Sequence, residues 1–225
     1  PAATLQPLRV QVTPLLSHWL ARLNECSEVL TQSNLLVEIL PPGELDYQQS
    51  DLVLRLGEKS GDEAFLSFLG DESIIFIKDP ANPVTHLTSG ELSQILTGAV
   101  TNWNQVPSLI EAGFSYDQPV ELFVYEQDNE LTAFLDGFLP VEIPIREDAR
   151  QAFSADMMLD LVTQTPGSIG MILNSQAGAD TAKIQIRDEP GHPLTWQQHV
   201  LAVAQAEPAG DLRQLLLCLQ SGTQP

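Results

Sequence analysis

Leu87-Thr88-Ser89-Gly90-Glu91-Leu92-Ser93-Gln94-Ile95-Leu96-Thr97-Gly98-Ala99-Val100-Thr101-Asn102-Trp103-Asn104 decides how this chain is read, and Asp79-Pro80-Ala81-Asn82-Pro83-Val84 leads into it. Leu92, Ile95 and Leu96 recur at helical spacing. Thr88 or Ser89 can cap the start, and Gly98 can end the helix as its C-cap residue. The spacing predicts one short helix between two turns, with a tryptophan-bearing segment behind it.

Upstream, Arg9-Val10-Gln11-Val12 alternates like a strand, and Thr13-Pro14 supplies an N-cap followed by proline at the first helical position. Leu16, Trp19, Leu20, Leu23, Cys26 and Leu30 then fall on one stripe, so a helix packs there on a core. Residues 35–40 read as a second strand, Pro41-Pro42-Gly43 breaks it, and Asp51-Leu52-Val53-Leu54 reads as a third. Residues 73–78 form another β-rich run, and Asn82-Pro83 marks a turn. Downstream, residues 120–125 read as a strand, 130–138 and 157–162 as helices, and 168–173, 182–186 and 199–204 as strands. An apolar helix over 212–219 follows. This is an α/β order.

The leucine-threonine opening, the glutamate-leucine step and the Thr101-Asn102-Trp103 tail resemble the second-lobe opening of the phosphate-binding proteins that feed ABC transporters, members of the type II periplasmic solute-binding superfamily. Pro166-Gly167-Ser168-Ile169-Gly170 resembles that family's return segment. Pro193-Leu194, the strand over 199–204 and the Pro208-Ala209-Gly210 helix start resemble its closing segment. The likeness runs in register from about Val12 to Ser221. It implies a two-lobed periplasmic-binding-protein-like (type II) α/β fold with a mixed sheet in each lobe flanked by helices. Lobe I is expected over 1–80 and 172–225, and lobe II over 81–171.

The chain has 225 residues, 43% of them hydrophobic, enough for packed cores. Ten Lys and Arg against thirty Asp and Glu give a formal charge of −20, a field that repels nucleic acid and anionic lipid. No apolar run approaches the roughly 20 residues that cross a bilayer. A chain that opens at Pro1 reads as processed, and any signal segment is expected to have been removed. The resemblance implies an extracytoplasmic location, periplasmic or anchored at the cell surface. Cys26 and Cys218 stand near opposite ends of the chain. Their pairing in an oxidising compartment and two buried free thiols are both open, but the resembled fold brings the two helices together in lobe I.

In the resembled family an oxyanion lies in a cleft between lobes, held by helix N-terminal N–H groups, small hydroxyls, an arginine and a carboxylate. The resemblance carries the first anchor to Thr13, at the head of the first helix. Ser50 and Asp51 resemble the serine-aspartate step before a strand, with Asp51 as the proton-accepting carboxylate. The third anchor, an arginine followed by a serine-glycine-threonine turn, is replaced by Tyr125-Glu126-Gln127-Asp128-Asn129-Glu130. Asp128 and Asn129 take its place, suited to a cation, an amine or a hydroxylated ligand, or acting as a helix-capping cluster. Replacing a charge-assisted contact of about 1.5–3 kcal/mol by carboxylates turns attraction into repulsion, so phosphate is expected to bind weakly or not at all.

His18, His86, His192 and His199 are scattered, and neither a His-Glu-x-x-His nor a Gly-x-Ser-x-Gly spacing occurs. The expectation is a non-enzymatic protein without metal or cofactor that acts as a monomer. Its expected partners are a small solute and an ABC permease. The competing expectation is an interaction or sensory domain that keeps the fold and has lost the oxyanion site.

Overall fold

The computed structural model describes residues 5–58, 65–126, 129–139, 143–188 and 191–221. The chain divides into two compact units: Pro1–Glu72 with Gln197–Pro225, and Ser73–Trp196.

The first unit opens with strand β1 (Gln6–Val12), helix α1 (Trp19–Ser27), strand β2 (Ser33–Ile39) and strand β3 (Leu52–Leu56). It includes the start of β4 (Phe65–Lys78), the strand along which the chain leaves. The second unit continues with β5 (His86–Thr88), α2 (Ser89–Thr97), α3 (Pro107–Glu111), β6 (Glu121–Tyr125), α4 (Glu130–Asp136), β7 (Arg150–Ala152), α5 (Ala155–Gln164), β8 (Ser168–Leu173) and β9 (Lys183–Arg187). Strand β10 (Trp196–Ala204) returns to the first unit, and α6 (Gly210–Ser221) ends there.

In the first unit the strand order is β2-β1-β3-β10-β4, with β2, β1 and β3 parallel and β10 antiparallel to β3. Val10 and Val12 of β1 and Leu52, Leu54 and Leu56 of β3 are buried, as are Leu23 of α1 and Leu215 and Leu219 of α6. Cys26 and Cys218 form a disulfide between α1 and α6, with Cα atoms 5.7 Å apart. The Arg22 guanidinium, one turn earlier, donates to the Cys218 carbonyl at 2.7 Å. The helix expected to begin at Pro14 is a 3₁₀ turn over Pro14–Leu16 followed by α1, and the Thr13 side chain makes no capping hydrogen bond. Thr13 instead joins the sheet, its N–H donating to the Leu54 carbonyl at 3.1 Å.

In the second unit β4 pairs antiparallel with β8, β8 pairs parallel with β6, and β6 with β7; β9 joins β4's other edge and β5 lies beyond it. β8 is buried along its whole length, as a continuous apolar strand covered on both faces should be. Helix α5 comes so close to β8 that a Cβ on Gly170 would lie 2.6 Å from Met158 Sδ. The opening stretch folds as its pattern requires. Thr88 Oγ1 accepts from Glu91 N–H at 3.1 Å, Glu91 Oε2 accepts from Thr88 N–H at 2.9 Å, and Gly98 ends α2 in the left-handed region. Trp103 is buried and donates from Nε1 to the Gly167 carbonyl at 2.8 Å. Asp79 Oδ2 accepts from Gly167 N–H at 3.2 Å, so the turn at 79–84 is tied to the Pro166-Gly167 segment.

The unit boundaries fall at 72/73 and 196/197, where the sequence placed them at 80/81 and 171/172. Pairing accounts for the second of these: β9 is hydrogen-bonded to β4 and to β5, which keeps the segment after β8 in the second unit until β10 begins.

Candidate functional site

In open α/β sheets ligands collect beyond the carboxyl ends of the parallel strands, where loops diverge and helix N-termini converge. In the first unit those ends are Thr13 after β1, Leu40 after β2 and Gly57-Glu58 after β3. Thr13 sits between its neighbours: it donates to Leu54 of β3, while Leu40 N–H donates to Val12 at 3.0 Å. Thr13 is fully buried, and its hydroxyl has no hydrogen-bond partner among the described residues. An unpartnered buried hydroxyl costs about 1–3 kcal/mol, so this atom calls for a ligand or an ordered water.

Ser50 and Asp51 lie at the other end of β3. Leu52 pairs with Val10, so Asp51 stands beside Arg9, four residues before Thr13 and about 13 Å away at 3.3 Å per residue. Asp51 Oδ2 accepts from Arg9 N–H at 2.8 Å, and Asp51 N–H donates to the Arg9 carbonyl at 2.9 Å. Ser50 Oγ donates to the Asp46 carbonyl at 2.7 Å. Asp51 fastens the end of the 41–50 loop to the sheet, Ser50 closes a turn within that loop, and the structure does not bring the two together with Thr13.

Sequence reading passed over Arg55, Gly57 and Glu58. The Arg55 guanidinium donates to the carbonyls of Leu56 and Glu58 at 3.2 and 2.9 Å, which places a cation at the carboxyl end of β3. Gly57 adopts a φ of 116° there, a conformation that disfavours a side chain. The signal was present as a glycine closing the apolar run Leu52-Val53-Leu54-Arg55-Leu56.

In the second unit the parallel strands β8, β6 and β7 end at Leu173, Tyr125 and Ala152. Asn129 caps α4, its Oδ1 accepting from Leu131 N–H at 2.9 Å, and Ser154 caps α5, its Oγ accepting from Met157 N–H at 3.2 Å. Asp128 lies outside the described residues. Glu130 and Asp156 occupy the first turns of these helices, an arrangement that stabilises the helices and repels an approaching anion. The Tyr125 hydroxyl is buried with no partner among the described residues, and burial, with Asp156 nearby, pushes its pKa up so that it stays a neutral phenol. Arg150 of β7 lies over the Phe123 ring at 4.9 Å, supplying a cation two residues short of the strand end. Among the described residues no group of three or more His, Cys, Asp or Glu is arranged to hold a metal ion.

Residues 57–215 match the family described as the PBP superfamily domain. No curated protein sequence is significantly similar to the chain. Among solved structures, a putative phosphate ABC transporter substrate-binding protein with bound phosphate from Clostridium perfringens is similar with a TM-score of 0.75 at 14% identity, over 95% of this chain and 93% of the other. An ABC-type phosphate transport receptor from Vibrio cholerae matches with a TM-score of 0.66 at 17% identity, over 94% and 93% of the two chains. The CcmR regulatory domain of Synechocystis PCC6803, solved with 2-PG, matches with a TM-score of 0.65 at 10% identity over 97% and 98%. These likenesses show a periplasmic-binding-protein-like α/β fold of type II.

Proposed function

Since the chain belongs to the PBP superfamily, we propose that it is an extracytoplasmic solute-binding protein that captures a small solute and presents it to an ABC permease. The observation that carries this reading is the Thr13 hydroxyl, buried without a partner at the carboxyl end of the parallel strands. On this reading Thr13 is the anchor proposed in the first unit, and Asn129, preceded in sequence by Asp128, is the one proposed in the second. Ser50 and Asp51 hold the loop that leads into β3. The disulfide between Cys26 and Cys218 fits an oxidising compartment, and among the described residues no helix is long and apolar enough to cross a membrane.

Phosphate is a poor solute for this site. The second unit presents Glu130 and Asp156 beside its helix caps, and the cap side chains are already engaged by their own helices. A dianion meets negative charge there at short range. That same engagement supports a second reading, a sensory or interaction domain with the fold and without an oxyanion site. A thermal-shift panel of phosphate, sulfate, molybdate and small organic acids separates the two. A bound solute at 100 times its dissociation constant adds about 2.7 kcal/mol of stability. A solute response that is lost in Thr13→Val supports the transport reading, and silence across the panel supports the second. Micromolar or tighter phosphate binding, about −8 kcal/mol, overturns the argument from repulsion.

A further inference from the structure

The geometry points to a second small-ligand site in the second unit, in the fork where β4 and β9 separate, and to a compact aromatic carboxylate as its ligand. The two strands pair antiparallel at Phe76↔Ile184 and Ile77↔Lys183 and then part. Leu194 N–H donates to the Ile186 carbonyl at 2.8 Å and Arg187 bridges Pro193, so the chain folds back along β9 and closes the fork with Leu194, Thr195 and Trp196. The recess has a volume of about 430 Å³, within the range of roughly 300–1,000 Å³ typical of small-molecule sites.

Charge and surface chemistry together set the ligand class. The chain carries thirty acidic and ten basic side chains, yet among the described residues the recess is lined by Lys183 and by no carboxylate. Lys183 Nζ donates to Asn174 Oδ1 at 2.9 Å and keeps further donors to offer. The hydroxyls of Ser73, Thr85 and Thr195 add to the polar lining. Trp196 supplies an aromatic wall. It is half-buried and packs edge-to-face on Phe76, Phe134 and Phe138, with ring centroids 6.1, 5.6 and 5.0 Å away, so its indole is held in one orientation. An aromatic carboxylate uses both the cation and the apolar wall. An organic cation would find no counter-charge, and an inorganic oxyanion would leave the wall unused. β8 stands between β4 and β6 and the fork opens on β4's other edge, so it lies more than two strand spacings, upward of about 10 Å, from the strand that leads to Asn129.

The test is a titration of the isotope-labelled full chain followed by amide and indole NMR, with benzoate as probe and benzamide as its uncharged counterpart. Benzoate should give saturable shifts confined to Ile75, Thr85, Lys183, Gln185 and the Trp196 indole, and should bind more tightly than benzamide. Lys183 is exposed, so Lys183→Gln keeps the fold; it should weaken benzoate about threefold or more and leave benzamide unchanged. Shifts that never saturate, shifts centred on Thr13 or Asn129, equal binding of the two probes, or an unaltered benzoate affinity in Lys183→Gln would each overturn the assignment.

Discussion

Gly167 should be the least replaceable residue of the return segment, and Gly167→Ala tests why. Its φ is +74°, and an added Cβ would lie 2.3 Å from the Pro119 carbonyl oxygen and 3.3 Å from Gln118 Cβ. The left-handed conformation costs a non-glycine residue about 1–2 kcal/mol, and overlap with a fixed backbone oxygen adds about 1–3 kcal/mol. The expected loss is therefore about 2–5 kcal/mol, before any weakening of the Trp103 and Asp79 hydrogen bonds that meet at this residue. Gly113→Ala is the internal control: its φ is +68°, and nothing lies within 4 Å of the added Cβ. It should lose only the conformational part, about 1–2 kcal/mol. Urea unfolding monitored by tryptophan fluorescence measures both. If Gly167→Ala is no more destabilising than Gly113→Ala, the close approach to Pro119 does not constrain the fold and the reasoning fails.

Reducing the Cys26–Cys218 bond, which spans 192 residues of sequence, should lower stability by about 3–5 kcal/mol through the freed loop; an unchanged urea midpoint in reductant would count against it. Thr13→Val removes the orphan hydroxyl and should stabilise the solute-free protein by up to about 1 kcal/mol while abolishing the response to solute; a clear loss of stability would mean that the hydroxyl has a structural partner. Glu91 gives a pH test. Burial alone would raise its pKa, but hydrogen bonds from the Thr88 and Ser108 N–H groups outweigh that and leave it below the ordinary value of 4.5. A depressed carboxyl pKa contributes stability above its unfolded value and loses it as pH falls through the folded one. Glu91→Gln should therefore be clearly less stable than wild type at neutral pH, and the gap should close as pH falls below 4.5. A gap constant down to acid pH would show that the charge is not what matters.

Local chemistry was enough to read α2. The spacing of Leu92, Ile95 and Leu96 and the glycine at 98 fix a helix within a few residues, and the structure chose Thr88 over Ser89 as the cap because Glu91 reaches back to its N–H. Strands such as β6 and β8 were legible for the same reason: alternation and unbroken apolar runs are properties of neighbouring residues. Sequence left the cysteines open between a bond and two thiols. Only the packing of α1 against α6 brings Cys26 and Cys218 within bonding reach. The same limit governs the candidate site. Ser50 and Asp51 read as ligand-facing, but strand register sets Asp51 beside Arg9 and puts Thr13 at the opposite end of the sheet with Arg55 and Gly57. The Phe76, Phe134, Phe138 and Trp196 cluster joins residues up to 120 positions apart. Periodicity and capping act within about one helical turn, so a sequence states them directly. Register and long-range contact arise from the joint packing of many side chains, which no single stretch contains, and the tertiary structure alone decides them.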